Sequence, residues 1–194
     1  LQMDFRNKCK RCSKDPHCCI FKNNLGFTFV GITDARNIKK IIKKNYDYFL
    51  DYTPLKKKTV NALKNCDPSL EGALRLSQLD DDSRILRLKT KNDGRCIFLN
   101  DNGRCDVYSL RPNVCKIYPF WAIRLINSRI KIIEHDTLLD CPIIIKAGNG
   151  QTDVEKILSK KQILEIKRIF KCIGKEDLFY KRKKAILQRF IAKG

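Results

Sequence analysis

Eight of the ten cysteines in this 194-residue chain fall into two groups, and this grouping constrains the fold more than any other feature of the sequence. The first group lies near the amino terminus and the second between residues 96 and 141; the eight are Cys9, Cys12, Cys18, Cys19, Cys96, Cys105, Cys115 and Cys141. A Cys-x-x-Cys loop places two sulfurs on one metal because its backbone turns back on itself. The sequence therefore predicts distant segments that are held together at a thiolate-ligated metal centre.

The compartment in which the chain folds decides between metal ligation and disulfide bonds. Residues 1–10 are polar and charged, unlike a secretory leader, so we expect a cytoplasmic protein whose thiols stay reduced. No apolar run approaches the ~20 residues of a membrane span. Metal ligation is therefore the expected use of the thiols, and buried thiols with some disulfides are the alternative.

Cysteine spacing alone does not choose the metal, since zinc and iron–sulfur clusters both take thiolate ligands. A zinc site would be closed, tetrahedral and redox-silent, whereas a 4Fe–4S cluster would take four thiolates and leave others for a second metal. We expect the iron–sulfur cluster first and zinc as the alternative. His17 and His135 are further candidate ligands, and Cys66 and Cys172 lie in helical surroundings that predict no ligation.

The net charge is +20, because 41 basic residues face 21 acidic ones. A charge of this size attracts polyanions or an acidic partner protein, although solvated helix faces would explain it equally. The lysines are spread through the chain and do not alternate with recognisable exposed aromatics, so nucleic-acid binding is only weakly predicted. A protein partner of unknown identity is expected. Basic residues beside the thiols would offset thiolate charge; they are Lys10, Arg11, Arg95, Arg104 and Lys116.

The pattern of apolar residues predicts the α+β class: a cysteine-rich metal-binding domain over 1–147, built from short antiparallel strands and helices, then a C-terminal helical hairpin over 151–194. Glycine-containing turns at 92–94 and 101–103 predict a small meander. The predicted strands cover 27–31, 84–90, 96–99 and 105–108, with a hairpin of 120–126 and 129–135. Helices are predicted from Thr33 or Asp34 to about Leu50, over 55–65, after a cap at Ser109, from a capping box at Thr152, and over about 176–191.

Four stretches of the chain resemble the YkgJ-like, or CxxCxxCC, family, which is described as a zinc- or iron-chelating domain. They are Cys9-x-x-Cys12 with Cys18-Cys19, Gly94-Arg95-Cys96-Ile97-Phe98-Leu99, Gly103-Arg104-Cys105-Asp106-Val107-Tyr108, and residues 111–120 from Arg111-Pro112 to Pro119-Phe120. The resemblance implies metal binding and covers roughly two-thirds of the chain. One departure is the gap of five residues between Cys12 and Cys18, which is wider than the usual motif.

A larger relative of that family, the flagellin lysine N-methylase, has a similar cysteine region that is associated with an iron–sulfur cluster and methyl transfer to protein lysines. The present chain lacks the glycine-rich strand–turn–helix loop of a Rossmann methyl-donor site. The resemblance therefore implies methyl transfer by analogy only.

Three functions compete. The first is a protein that holds an iron–sulfur cluster, with a redox or methyl-transfer role, in which Asp106 and Arg111 orient the loops around the ligands. The second is a zinc-stabilised binding module for nucleic acid or an acidic protein, and the third is metal storage or delivery. A hydrolase is not predicted, because the sequence shows no Ser/His/Asp arrangement, paired-carboxylate motif or Walker loop.

Overall fold

A computed structural model describes the chain at residues 17–21, 27–65, 75, 78–134 and 153–182. Within these ranges there are six α-helices, two 3₁₀ turns and four β-strands in two antiparallel pairs. This combination, with helix at the carboxyl-terminal end, confirms the predicted α+β class. None of the described helices combines the length and apolar character needed to cross a membrane.

The first strand pair is short and lies at the centre of a larger set of backbone contacts. Strand β1 (Leu50–Asp51) pairs antiparallel with β2 (Arg87–Leu88), so that Leu50 faces Leu88 and Asp51 faces Arg87. The guanidinium of Arg87 donates to the Asp51 carboxylate at 2.6 Å, which fixes this register. On the other side, Phe29 forms an isolated bridge with Arg87. The strand predicted at 84–90 is thus shortened to β2, and the strand predicted at 27–31 is reduced to a single bridge at Phe29.

The second strand pair is the hairpin that the sequence predicts. Strand β3 (Phe120–Arg124) pairs antiparallel with β4 (Ile130–Glu134), in a register that runs from Phe120 opposite Glu134 to Arg124 opposite Ile130. The turn closes through Ser128, whose φ of 61° is left-handed. The end of the predicted second strand, at His135, lies outside the described residues.

The helix predicted from Thr33 or Asp34 to Leu50 is wrong in its extent. The structure has two helices, α1 (Ile32–Ile42) and α2 (Tyr46–Phe49), separated by Lys43, which has a left-handed φ of 53°. Both helices bury apolar side chains in the same core. The apolar residues therefore keep a helical spacing across the break, and no Gly or Pro in the sequence indicates it. The next helix, α3 (Lys57–Lys64), confirms the short basic helix predicted over 55–65.

Helix α4 (Asn113–Ile117) follows a 3₁₀ turn at Tyr108–Leu110, and its N-cap is Pro112 rather than Ser109. Asp153 is the N-cap of helix α5 (Val154–Ile157), and its carboxylate accepts from the Glu155 amide at 3.2 Å. Thr152, where the sequence predicts a capping box with Glu155, lies outside the described residues. The Glu155 carboxylate accepts from the Ile132 amide at 3.1 Å and ties α5 to the hairpin.

The last helix, α6 (Lys160–Arg182), has a capping box that the sequence prediction missed. The Ser159 hydroxyl accepts from the Gln162 amide at 3.2 Å, and the Gln162 side chain accepts from the Ser159 amide at 2.8 Å. The helix continues past residue 176, where the sequence predicts that a second, separate helix begins. Residues 183–194 lie outside the described ranges.

One hydrophobic core joins the carboxyl-terminal helix to the cysteine-bearing segments. Ile166, Ile169 and Ile173 of α6 are buried in the same cluster as Cys96 and Ile117. Trp121 of β3 meets Phe170 of α6 edge-on, with ring centroids 5.5 Å apart. The cysteine-bearing loops are thus attached to a scaffold that the helix helps to complete.

Candidate metal centre

The cysteine pair Cys18–Cys19 lies in a 3₁₀ turn over His17–Cys19. The two sulfurs are 3.8 Å apart; Cys18 is exposed and Cys19 is half-buried. The Cys19 carbonyl accepts from the Cys96 amide at 2.7 Å, so one main-chain hydrogen bond joins the two cysteine groups. The structure therefore brings together cysteines that are 77 positions apart in the sequence.

A glycine allows the close contact that holds this pair in place. Gly94 has a φ of +82°, and a Cβ atom built on it would lie 2.8 Å from the carbonyl oxygen of Phe21. The Gly94 carbonyl in turn accepts from the Phe21 amide at 3.0 Å. Since both the backbone conformation and the available space require glycine, this turn sets the distance between Cys19 and Cys96.

We expect Gly94→Ala to destabilise the fold by about 1–3 kcal/mol, because alanine is strained at a positive φ and its methyl group would displace Phe21. Urea denaturation of the metal-loaded protein measures this, and metal content should fall with it. The matched control is Gly174→Ala, because nothing lies within 4 Å of the added carbon in α6. That variant should be more stable by about 0.5–1 kcal/mol, since alanine favours helix. Equal stabilities for the two variants would contradict the close approach at Gly94.

The predicted meander carries Cys96 and Cys105. Isolated bridges pair Thr90 with Cys96 and Leu99 with Cys105, across the two glycine turns. Cys96 is 5% exposed, whereas Cys105 is half-buried. Both cysteines are therefore held by main-chain pairing, and their positions follow from the turns that the sequence reveals.

Cys115 is positioned by a helix whose cap comes from elsewhere in the chain. It lies in the middle of α4, and the Asp34 carboxylate of α1 accepts from the Asn113 amide at 2.8 Å. Asp34 is only 6% exposed, so this hydrogen bond is sheltered from water. Asp34 was predicted as a cap of its own helix, but the N-cap there is Gly31. No local pattern could have indicated a cap that acts across 79 positions.

We expect Asp34→Ala to destabilise the protein by about 1–2 kcal/mol, because the first turn of α4 loses its side-chain acceptor. Retention of metal against a chelator should also fall, because Cys115 is on that helix. Asp34→Asn is the control, since its amide keeps an oxygen that can accept from Asn113. Chemical denaturation and a timed chelator challenge report the two effects. If alanine and asparagine give the same result, the Asp34 oxygen is not what holds α4.

The five described thiols of the two groups lie within electrostatic reach of one another. The Cys18 and Cys19 thiols share a hydrogen bond, which lowers the pKa of Cys18 and raises that of Cys19. Burial raises the pKa of Cys96 to about 11. Burial also raises the pKa of Cys105 and of Cys115, and ionised thiols nearby raise both further. Without a bound cation these buried sulfurs therefore keep their protons at neutral pH.

Two cations oppose the increase that burial causes in the pKa of the thiols. The Arg111 guanidinium acts to lower the pKa of Cys18, Cys105 and Cys115, and the Lys91 ammonium acts in the same direction on the pKa of Cys96. Arg111 is held in place because its Nε donates to the Tyr108 carbonyl at 3.1 Å. The sequence prediction named Arg111 as an orienting residue but did not single out Lys91. Arg95 is instead paired with Asp93 and Asp101 on the exposed side of the turn.

The described part of the chain does not complete a metal site. Among its residues, no three His, Cys, Asp or Glu side chains converge closely enough to hold one ion. Three candidate ligands, Cys9, Cys12 and Cys141, lie outside the described ranges, as do Cys66 and His135. Cys172 is exposed on α6. The complete ligand set therefore stays a prediction. The structure describes five of its eight cysteines: Cys18, Cys19, Cys96, Cys105 and Cys115.

Comparison with protein families supports a metal-binding role for this region. The family model CxxCxxCC, described as "Putative zinc- or iron-chelating domain", matches residues 8–137. The matched range includes seven of the eight predicted ligands and ends before Cys141. No curated protein and no solved structure matches the chain.

Proposed function

Because the chain belongs to the CxxCxxCC family, whose description supports zinc or iron chelation, we propose that its clustered thiolates hold an iron–sulfur cluster and that the cluster gives the protein a redox role. Cys96, Cys105 and Cys115 would be ligands, together with thiols of the amino-terminal group. Such a cluster, which we propose to be 4Fe–4S, would supply one-electron chemistry.

The observation that carries the proposal is the character and spread of the donors. The five described candidate cysteines offer sulfur, which suits zinc and iron–sulfur clusters and does not suit magnesium or calcium. These five thiols come from a 3₁₀ turn, a meander and a helix, and each of them acts on the pKa of at least one other. A polynuclear cluster requires thiolates that surround it, rather than thiolates that converge on a single point.

The charge around the thiols also supports a cluster. A centre with four thiolates is anionic, and the Arg111 and Lys91 side chains act on the thiols in the direction that favours their ionised form. Positive charge and hydrogen bonds near cluster sulfurs raise the reduction potential. Methyl transfer would need a methyl-donor site as well, and nothing in the sequence supplies its usual glycine-rich loop.

A tetrahedral zinc site is the second candidate, and one distance favours it. Two sulfurs bound to one zinc at ~2.3 Å lie ~3.8 Å apart in a regular tetrahedron. The Cys18 and Cys19 sulfurs are 3.8 Å apart. A structural zinc at this pair, with no cluster beside it, would leave the protein a binding module instead of a redox carrier.

Anaerobic purification with elemental and sulfide analysis tests these alternatives. An iron–sulfur protein should be brown, contain iron and acid-labile sulfide in equal amounts, and lose visible absorbance on reduction with dithionite. A colourless protein with stoichiometric zinc and no sulfide would overturn the cluster and leave the zinc module. A protein that contains neither metal after reconstitution would overturn both.

A further inference from the structure

The carboxyl-terminal half of α1 and the residues after it form a strongly basic surface, which we call the basic face. It consists of Arg36, Lys39, Lys40, Lys43 and Lys44. All are exposed except the half-buried Lys39. The opposite side of α1 is buried through Ile32, Asp34, Ala35 and Ile38. The basic face is therefore a surface directed at solvent on a helix that is fixed to the core.

The accumulation of charge on this face exceeds what helix stability explains. Cations in the last turn favour the helix dipole, which accounts for Lys39 and Lys40. Lys43 and Lys44 add to them, and like charges this close repel one another. In the described part of the chain no ion pair joins Lys40, Lys43 or Lys44 to a carboxylate. The exposed Asp47 is the one acidic residue between positions 35 and 50. A polyanion would relieve this repulsion.

An exposed aromatic ring lies beside these lysines. Tyr48 of α2 is 50% exposed, and the Lys44 ammonium is 5.7 Å from its ring centroid. Its neighbours in α2, Tyr46 and Phe49, are buried, so the backbone under the ring is anchored. This arrangement differs from the sequence-based expectation, because lysines and an exposed aromatic do meet here. A flat ring next to ammonium groups suits an unpaired base with its phosphates.

We propose that the basic face binds single-stranded nucleic acid, with phosphates on Lys40, Lys43 and Lys44 and one base stacked on Tyr48. A duplex would satisfy the lysines, but its paired bases could not reach the ring. A membrane surface would use the charge together with the exposed Ile41 and would not stack a base on Tyr48. None of the basic-face residues is a candidate metal ligand, so the test does not depend on which metal the thiols hold.

The test is fluorescence anisotropy of labelled oligo(dT) and oligo(U) of about 15 nucleotides, near the upper limit of a single-fold footprint, with the full metal-loaded chain at low salt. The triple variant Lys40→Glu/Lys43→Glu/Lys44→Glu should bind at least one hundred-fold more weakly. Its salt slope should fall by about 2, at ~0.7 for each lost phosphate contact on a single strand. The matched control, Lys161→Glu/Lys171→Glu/Lys175→Glu on α6, carries the same charge change and should bind within about threefold of wild type if binding is confined to the basic face.

Substitutions at Tyr48 separate stacking from charge. Tyr48→Ala should weaken binding about tenfold, and Tyr48→Phe should retain it, because stacking needs the ring and not the hydroxyl. Circular dichroism and metal content, which should be unchanged, exclude misfolding. Equal losses in the two triple variants would overturn the proposal, as would an unaffected Tyr48→Ala. Duplex binding as tight as single-strand binding, or binding to anionic phosphatidylserine vesicles without binding to the oligonucleotides, would also overturn it.

Discussion

Replacing Cys96, Cys105 or Cys115 by serine is expected to lower the metal affinity at least tenfold, and the metal content of the purified protein with it. Loss of residues that only orient metal ligands already costs about 10–100-fold in affinity. Serine has nearly the shape of cysteine, but its hydroxyl is a hard and weakly acidic ligand for zinc or iron. Elemental analysis after anaerobic purification and a visible absorption spectrum measure the loss. Stability should fall as well, because binding free energy at such a site is also folding free energy.

The control for this series is Cys172→Ser. Cys172 is exposed on α6 and lies outside the two cysteine groups, so its replacement should leave metal content unchanged. Because Cys96 is buried, a serine hydroxyl there would itself cost stability, and Cys96→Ala separates this cost from the loss of a ligand. Full metal content in all three serine variants would show that the described thiols are not ligands and that the centre, if present, lies elsewhere.

The affinity for metal should rise steeply with pH between pH 6 and pH 8. Burial holds the pKa of Cys96 near 11 and raises the pKa of Cys105 and Cys115, so all three are protonated in this range when no metal is bound. A metal ion must displace those protons, and each displaced proton makes the affinity change about tenfold per pH unit. Three such ligands would give a change of about one thousand-fold per unit. The affinity therefore increases as pH rises and levels off only above the pKa of the free thiols.

Competition with a chromophoric chelator at several pH values measures this dependence, after correction for protonation of the chelator. Proton release in weakly buffered solution gives an independent count of the displaced protons. The Cys18–Cys19 pair should release its first proton more readily than an ordinary thiol, because the hydrogen bond between the two sulfurs lowers the pKa of Cys18. An affinity that does not change between pH 6 and pH 8 would mean that the bound thiols are ionised before the metal arrives.

The parts of the site that sequence reasoning recovered are those with local causes. The turns at Gly94 and Gly103 have positive φ, which their sequences indicate directly, and the positions of Cys96 and Cys105 follow from them. The hairpin of β3 and β4 follows from two apolar runs around Asn127 and Ser128. Each of these features depends on residues that are neighbours in the chain, so a pattern in the sequence is enough to find it.

The parts that it missed depend on contacts between distant segments. The Asp34 cap of α4 joins residues that no local rule connects, and the sequence prediction that named Arg111 did not foresee its charge acting on the distant Cys18. The break at Lys43 has no Gly or Pro to signal it. Conversely, the sequence predicts a separate helix over about 176–191, but α6 runs without a break through Gly174, and the adjacent Ile173 is buried in the core. Packing outweighs the modest helical cost of one glycine.

The hydrogen bond between Cys19 and Cys96, together with the later position of Cys115, has a consequence for biosynthesis. A ribosome adds about 5–20 residues per second, so the amino-terminal thiols emerge roughly 5–20 s before Cys115 emerges. During that interval they have no partners from the rest of the site and are open to oxidants and to adventitious ions. If Cys115 is a ligand, as we propose, loading of the centre is complete only after translation has passed Cys115.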